Sequence, residues 1–140
     1  MRRTYAVLVF ALMPAIARAA APAPCSPSAT TLCLHQARFS ASVAWKDFQG
    51  RQGVGQAVAI TDDTGYFWFF DSTNTEMVVK VLNGCAISTA YWVFAAGLTN
   101  VQVDWQVLDT RTGTAYLQVN PQGTPFAPIQ ATTAFPSSCP

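Results

Sequence analysis

Histidine, cysteine and paired carboxylates are the side chains with which this chain could do chemistry, and all of them are sparse. His35 is the single histidine of the sequence, so a nucleophile activated by histidine would depend on it alone. It lies two residues from Cys33, and no G-x-S-x-G motif is present. We interpret His35 as a structural residue at a strand edge, with copper binding together with Met77 as a minor alternative. The sequence therefore predicts a protein that is not an enzyme.

The carboxylates provide one weak metal candidate. Asp62 and Asp63, flanked by Thr61 and Thr64, could hold calcium, because this ion prefers clustered oxygen ligands. Capping of a turn is the more frequent role of such residues. A second acidic loop follows at 71–76, but a strand between the two loops would hold them about 20 Å apart, too far for an acid/base pair. No cofactor is expected, with calcium as a weak alternative.

The four cysteines all lie beyond residue 20, which is typical of a disulfide framework in an exported protein. Four cysteines allow three pairings. We favour Cys25–Cys139 with Cys33–Cys85, because this pairing clamps both ends of the chain and joins the first strand to its middle. A local Cys25–Cys33 loop stays open as an alternative. Zinc is a poor alternative, since the sequence has no C-x-x-C pair and one histidine.

Residues 1–19 have the pattern of a secretory signal peptide. Arg2 and Arg3 supply positive charge, Tyr5–Leu12 is an apolar run, and Ala17-Arg18-Ala19 places small residues at a cleavage site. The apolar run is too short for a stable membrane span. Together with the cysteines, this pattern predicts a secreted or periplasmic protein.

The composition predicts one folded domain after the signal. About 120 residues remain, a usual size for one domain, and we divide them into a Pro/Ala/Ser-rich leader at 20–32 and a single β-sandwich domain at 33–140 with a C-terminal proline-rich strap. Hydrophobic residues make up 51% and charged residues 11%, which excludes a disordered segment. Five basic and seven acidic residues remain, a net charge of −2, so nucleic acid is not an expected partner. No later segment reaches the length of a membrane span.

Apolar and polar residues alternate along most of the central chain, where glycine is frequent and proline is absent. This period of two predicts half-buried antiparallel strands. We expect seven: Arg38–Trp45, Gln56–Ile60, Gly65–Phe70, Thr75–Leu82, Tyr91–Ala95, Val101–Asp109 and Thr114–Val119. Short strands with regular turn signals are typical of an antiparallel β-sandwich, immunoglobulin/fibronectin-like in architecture. The spacing Cys33…Trp45…Cys85 is similar to that of the immunoglobulin disulfide, but Asn83 stands where that fold requires a tyrosine, so we interpret the spacing as coincidence.

Five consecutive aromatic residues occupy the third of these segments. In a strand, Tyr66, Trp68 and Phe70 would share one face, and Phe67 and Phe69 the other. The more frequent arrangement is a central strand with one face in the core and the other face covered. If the first face is exposed, Tyr66, Trp68 and Phe70 are the candidate ligand-binding residues, since such rings stack on sugars or on apolar side chains.

Three motifs resemble those of an uncharacterised family of exported bacterial β domains. They are Thr64–Phe70 (TGYFWFF), Glu76–Cys85 (EMVVKVLNGC) and Tyr91–Val101 (YWVFAAGLTNV). The resemblance extends over essentially all of the chain after the signal. It implies an exported β domain, and because no activity is established for the family, it implies no catalytic residue.

These observations together predict an exported, non-enzymatic binding or protein-interaction module. Its partner would be an envelope or secreted protein, or a polysaccharide. One alternative is a carbohydrate-binding module that uses the aromatic strand. A second is a small secreted enzyme inhibitor that makes its contacts through a loop such as 48–55.

Overall fold

The computed structural model describes residues 23–140, which form ten strands and one helical turn. The strands are β1 (Leu32–Leu34), β2 (Phe39–Lys46), β3 (Gln52–Val54), β4 (Gln56–Ala59), β5 (Thr64–Trp68), β6 (Met77–Asn83), β7 (Tyr91–Gly97), β8 (Gln102–Asp109), β9 (Thr114–Asn120) and β10 (Ile129–Phe135). The helical turn, α1 (Cys85–Ser88), follows β6. The predicted signal peptide at 1–19 lies outside the described residues.

The strands form two antiparallel five-stranded sheets. In the first sheet the order is β1-β2-β8-β9, and β3 also pairs with β2. In the second sheet the order is β10-β7-β6-β5-β4. The chain passes from the first sheet to the second at Gly55, whose backbone N–H donates to the carbonyl of Val43 over 2.8 Å. This crossing places β3 and β4 in different sheets although one residue separates them.

The core lies between the two sheets. Phe39 of the first sheet and Phe135 of the second are fully buried, and their ring centroids lie 5.2 Å apart. Trp45 of β2 stacks on Phe69 at 6.0 Å. The alternation in β2 and β8 explains this packing. It turns Ala41 and Val43 of β2 inward, together with residues opposite them on β8 such as Trp105. The all-β, two-disulfide antiparallel sandwich predicted from the sequence is confirmed.

The C-terminal strap is not irregular as expected. Ile129–Phe135 forms β10, which pairs with β7 on the edge of the second sheet. This segment lies between Pro128 and Pro136, contains no proline itself and buries Phe135 completely, so it can join the ladder that proline would interrupt. The short strands β1 and β3 and the turn α1 were also not predicted; three or four residues are too few to show a period.

The favoured disulfide pairing is wrong. The bonds are Cys25–Cys33, the local alternative, and Cys85–Cys139. The topology explains the second bond, since Asn83 and Phe135 both pair with Tyr91, from opposite sides of β7. Cys85 and Cys139 follow these two strand ends and so meet at the same end of the sheet.

A buried ion pair joins the start of β2 to the end of β8. Arg38 contacts Asp109 with Nε at 3.1 Å and Nη2 at 2.8 Å. The Ser138 hydroxyl donates to the second Asp109 oxygen over 2.5 Å, and Arg38 donates to the Ser138 carbonyl. The guanidinium also lies 4.3 Å from the centroid of the Tyr91 ring. The C-terminal segment is thereby held to both sheets beside the Cys85–Cys139 bond.

Within residues 23–140 no helix is long and apolar enough to cross a membrane. The two disulfides are compatible with an extracellular location.

Candidate functional site

A concavity with a volume of about 570 Å³ lies on the outside of the first sheet. The strand register builds its floor in two rows. One row runs Val54, Ala44, Asp104 and Val119 across β3, β2, β8 and β9. The other runs Ser42, Gln106 and Leu117. We call these seven residues the outer groove.

The outer groove is apolar and carries one charge. Leu117, Val119 and Val54 are 65%, 61% and 50% exposed, which is unusual for three large apolar side chains in one concavity. Asp104 is the charged member, and the Gln102 side-chain amide donates to it over 3.0 Å. Gln106 likewise donates to the Ser42 hydroxyl over 3.2 Å. Such a surface suits an apolar partner better than a highly charged one.

Strand β9 exposes its more apolar face and turns its more polar face toward the core, an arrangement that we call the inversion of β9. Its two faces are Ala115, Leu117 and Val119 on one side and Tyr116, Gln118 and Asn120 on the other. Burial of apolar area would place the first set in the core, yet the first set is exposed and the second is turned inward. A shift of one residue in register would exchange the two faces. The observed register therefore exposes the apolar row of β9 and turns its more polar row inward.

Specific contacts hold this register. The Asn120 side-chain amide donates to the carbonyl of Thr124 over 2.8 Å, which satisfies a polar group that is 9% exposed. The Tyr116 ring lies edge-on to the buried Trp105 ring, with centroids 5.8 Å apart. Partial burial raises the pKa of the Tyr116 hydroxyl. The polar face of β9 therefore has partners at the end of the sandwich.

The predicted aromatic site is divided. Tyr66 and Trp68 lie half-buried on the outer face of the second sheet, on β5. Phe70 follows the end of β5 and is 45% exposed, and its ring centroid lies 4.7 Å from that of Trp45. Phe67 and Phe69, by contrast, are buried in the core. The structure thus brings two of the three candidate residues together and places the third against the first sheet.

His35 lies near the second sheet. Its Nε2 donates to the Val81 carbonyl over 2.6 Å, since a carbonyl oxygen can only accept. Met77 is fully buried at the start of β6, four residues from Val81 and so about 13 Å away along the strand. The copper hypothesis therefore gains no support from this arrangement.

Both calcium candidates already have partners in the β4–β5 turn and beside it. The Thr61 and Thr64 hydroxyls each donate to Asp63 over 2.7 Å, and the bond from Thr64 is the main cause of the lowered pKa of that carboxyl. Asp62 accepts the backbone N–H of Gln36 over 2.8 Å. Residues 23–140 contain no group of three histidine, cysteine or acidic side chains placed to hold a metal. Calcium binding at Asp62 and Asp63 stays a prediction.

Sequence reasoning missed the outer groove. The segments 38–45, 101–109 and 114–119 were identified as strands, but the exposed face of the last one, β9, is opposite to the face that its apolar residues suggest. One signal was present: β9 contains no charged residue, so neither of its faces is marked as the solvated one.

Comparison with known proteins gives no match among protein families, curated proteins or solved structures. The resemblance to exported bacterial β domains therefore stays a prediction.

Proposed function

We propose that this chain is an exported, non-enzymatic protein-interaction module that binds an extended apolar segment of its partner in the outer groove. The observation that carries the proposal is the inversion of β9, which exposes Leu117 and Val119 at 65% and 61%. Burial of apolar area, taken by itself, would favour the opposite face. Departures of this kind from local sequence rules are expected at functional surfaces.

The chemistry of the groove indicates the kind of partner. Its apolar side chains stand in rows set by the strand spacing, so an extended segment with apolar residues at alternate positions would fit it. Asp104 would pair with a lysine or arginine of that segment, and few other charges are near. A secreted or envelope protein would supply such a segment. In the inhibitor alternative, the partner that supplies this segment is an enzyme.

Selection from a displayed library of random peptides tests this function. The exported, oxidised protein should enrich peptides that combine alternating apolar residues with one basic residue. Val54→Lys places a cation in the groove and should abolish the enrichment. Ile87→Lys is the matched control, because Ile87 is equally apolar and 79% exposed but lies in α1, away from the groove. Asp104→Asn should keep the apolar preference and lose the basic one.

Identical peptide selection by the wild type and by Val54→Lys would contradict the proposal. Selection that changes in Ile87→Lys and not in Val54→Lys would place binding on the other sheet.

A second candidate function is carbohydrate binding on the outer face of the second sheet. Besides Tyr66 and Trp68, this face carries Trp92, whose indole N–H donates to the Ser88 hydroxyl over 2.6 Å. Gly84 has no side chain, and a Cβ there would lie 2.2 Å from the Trp92 ring, so the ring is fixed in place. Fixed aromatic rings suit sugar stacking. Glycan-array binding that is lost in Trp68→Ala and in Trp92→Ala, and kept in Val54→Lys, would favour this function.

A further inference from the structure

The free edge of β9 lacks the features that usually protect an edge strand. Among residues 23–140, β9 pairs with β8 on one side and has no ladder on the other. Its seven residues contain no charge, proline or glycine. Natural edge strands are usually short, bulged, charged or interrupted by proline, because an open edge can pair with another chain.

The other outer strands do have such features. The ladder of β10 shifts register between Ala131 and Phe135, and Pro128 directly precedes the strand. Strand β4 has four residues, and β1 and β3 have three each. The open edge of β9 is therefore specific to one place in the fold.

We propose that β9 pairs antiparallel with β9 of a second copy of this chain, about a two-fold axis at Leu117. The proposal rests on the proposed function in one respect, namely that the exposed apolar row of β9 is part of an interface. The partner of the strand edge is a second copy of the chain. The face of the outer groove stays open for a different partner. Two grooves would lie side by side in the resulting continuous sheet.

The sequence of β9 is suited to pairing with itself. With Leu117 opposite its own copy, Ala115 lies opposite Val119, and Tyr116 opposite Gln118. Each apolar residue of the exposed row thus meets an apolar residue, and each residue of the inward row meets a polar or amphipathic one. Cross-strand pairs of this kind are the unit that stabilises a sheet, and a two-fold interface requires such self-complementarity.

Electrostatic repulsion does not oppose the pairing. Strand β9 itself is uncharged. The nearest charge on the exposed face is Asp104, opposite Val119 on β8. In the pair, the two copies of Asp104 are three strand spacings apart across the sheet and four residues apart along it, about 19 Å in all. Solution ions screen charges beyond about 8 Å at physiological ionic strength.

Sedimentation of the exported, oxidised protein at increasing concentration, with charge variants at position 117, tests the pairing. We expect the wild type to form dimers. Leu117→Lys and Leu117→Glu each place like charges directly opposite one another, and each should weaken the dimer by about tenfold or more. A mixture of the two variants should restore it as a heterodimer, because lysine then faces glutamate. This rescue requires that residue 117 meets residue 117.

Val54→Lys is the control, because it adds the same positive charge as Leu117→Lys to the same face of the sheet, but on β3. Its dimer dissociation constant should equal that of the wild type. A wild type that stays monomeric at every concentration, or a mixture that gives no heterodimer, would overturn the inference.

The failure of the dimer proposal and the failure of the proposed function give different results. A monomer whose peptide selection is lost in Val54→Lys contradicts only the dimer, and a dimer without peptide selection contradicts only the proposed function.

Discussion

Asp109 shows how a single residue can connect the separate parts of this fold. It is fully buried at the end of β8, where burial by itself would raise its pKa. Hydrogen bonds from Arg38 and Ser138 outweigh this effect and lower the pKa of the carboxyl to about 2. The hydrogen bond to Asp109 also raises the pKa of the Arg38 guanidinium. Arg38 directly precedes β2 and Asp109 ends β8, so both lie at the same end of the first sheet, and their contacts with Ser138, after β10, and with Tyr91 of β7 connect that sheet to the second one.

The lowered pKa makes stability depend on pH in the acid range. The folded state favours ionised Asp109, so its contribution is complete above the ordinary pKa near 3.8 and is lost as the pH falls toward 2. The loss for this residue is about 2 kcal/mol. Urea unfolding of the wild type and of Asp109→Asn between pH 6 and pH 2 measures it. The free energy of unfolding of the variant should fall less steeply with decreasing pH than that of the wild type. The fall that remains comes from other carboxyls with lowered pKa, such as Asp63 and Asp71. Equal slopes in the two proteins would contradict the assignment.

Loss of one partner of the Arg38–Asp109 pair should lower the free energy of unfolding strongly at neutral pH. Asp109→Asn leaves the Arg38 charge, 8% exposed, without its counter-ion, and we expect a loss of about 3–5 kcal/mol in the free energy of unfolding. Asp104→Asn is the matched control on the same strand, because Asp104 is exposed; its effect should stay within about 0.5 kcal/mol. Chemical denaturation followed by tryptophan fluorescence compares the two variants. A small effect of Asp109→Asn would mean that the pair is hydrated in solution.

Among the elements, β9 and β10 depart most from what their sequences suggest. Strand β9 turns its apolar row outward, whereas β10, which the proline-rich tail did not suggest, pairs in the sheet and buries Phe135. The difference comes from their neighbours. Trp105 and Phe126, whose ring centroids are 6.5 Å apart, already fill the core near β9. Phe135, in contrast, is required to complete the contact with Phe39.

The two strands should respond oppositely to truncation of an apolar side chain. Leu117→Ser should change the free energy of unfolding by less than about 0.5 kcal/mol, because the side chain is 65% exposed. Phe135→Ala should cost about 3–5 kcal/mol, since it leaves a cavity in the core. Thermal unfolding at low protein concentration, where association does not contribute, measures both. A large loss in Leu117→Ser would show that β9 faces the other way.

The two disulfides should differ in their contribution to stability. They close chain segments with separations of 54 and 8 residues, and the chain-entropy account gives about 4 kcal/mol for the long loop and about 2.5 kcal/mol for the short one. We expect the double substitution Cys85→Ala/Cys139→Ala to lower stability more than Cys25→Ala/Cys33→Ala. Denaturation in urea compares them. The reverse order would mean that the N-terminal loop is essential to the packing of β1.

At the scale of the whole molecule, the two sheets share one core and should unfold together. The buried cluster contains residues of both sheets, and aromatic contacts such as Phe39–Phe135 cross between them. A single domain of this size is expected to unfold in one cooperative transition. Far-ultraviolet circular dichroism and tryptophan fluorescence should therefore give the same midpoint. Separate midpoints would show that one sheet persists without the other.

The sequence by itself determined the fold class and most of the strands. Alternation is a local property, and in segments such as 38–45 and 101–109 it is long enough to identify a strand and its buried face. The absence of proline from the centre of the chain and the placement of glycine at turns agree with it. These signals need no knowledge of neighbours, which is why they were sufficient.

Only the tertiary structure decided the disulfide pairing, the identity of β10 as a strand and the exposed face of β9. Cys85 and Cys139 meet because two strand ends flank Tyr91, a fact of sheet order that spacing along the chain does not contain. The face of β9 depends on the register with β8 and on what already fills the core. The outer groove consequently belongs to no single motif, since four strands from distant parts of the sequence each contribute to it.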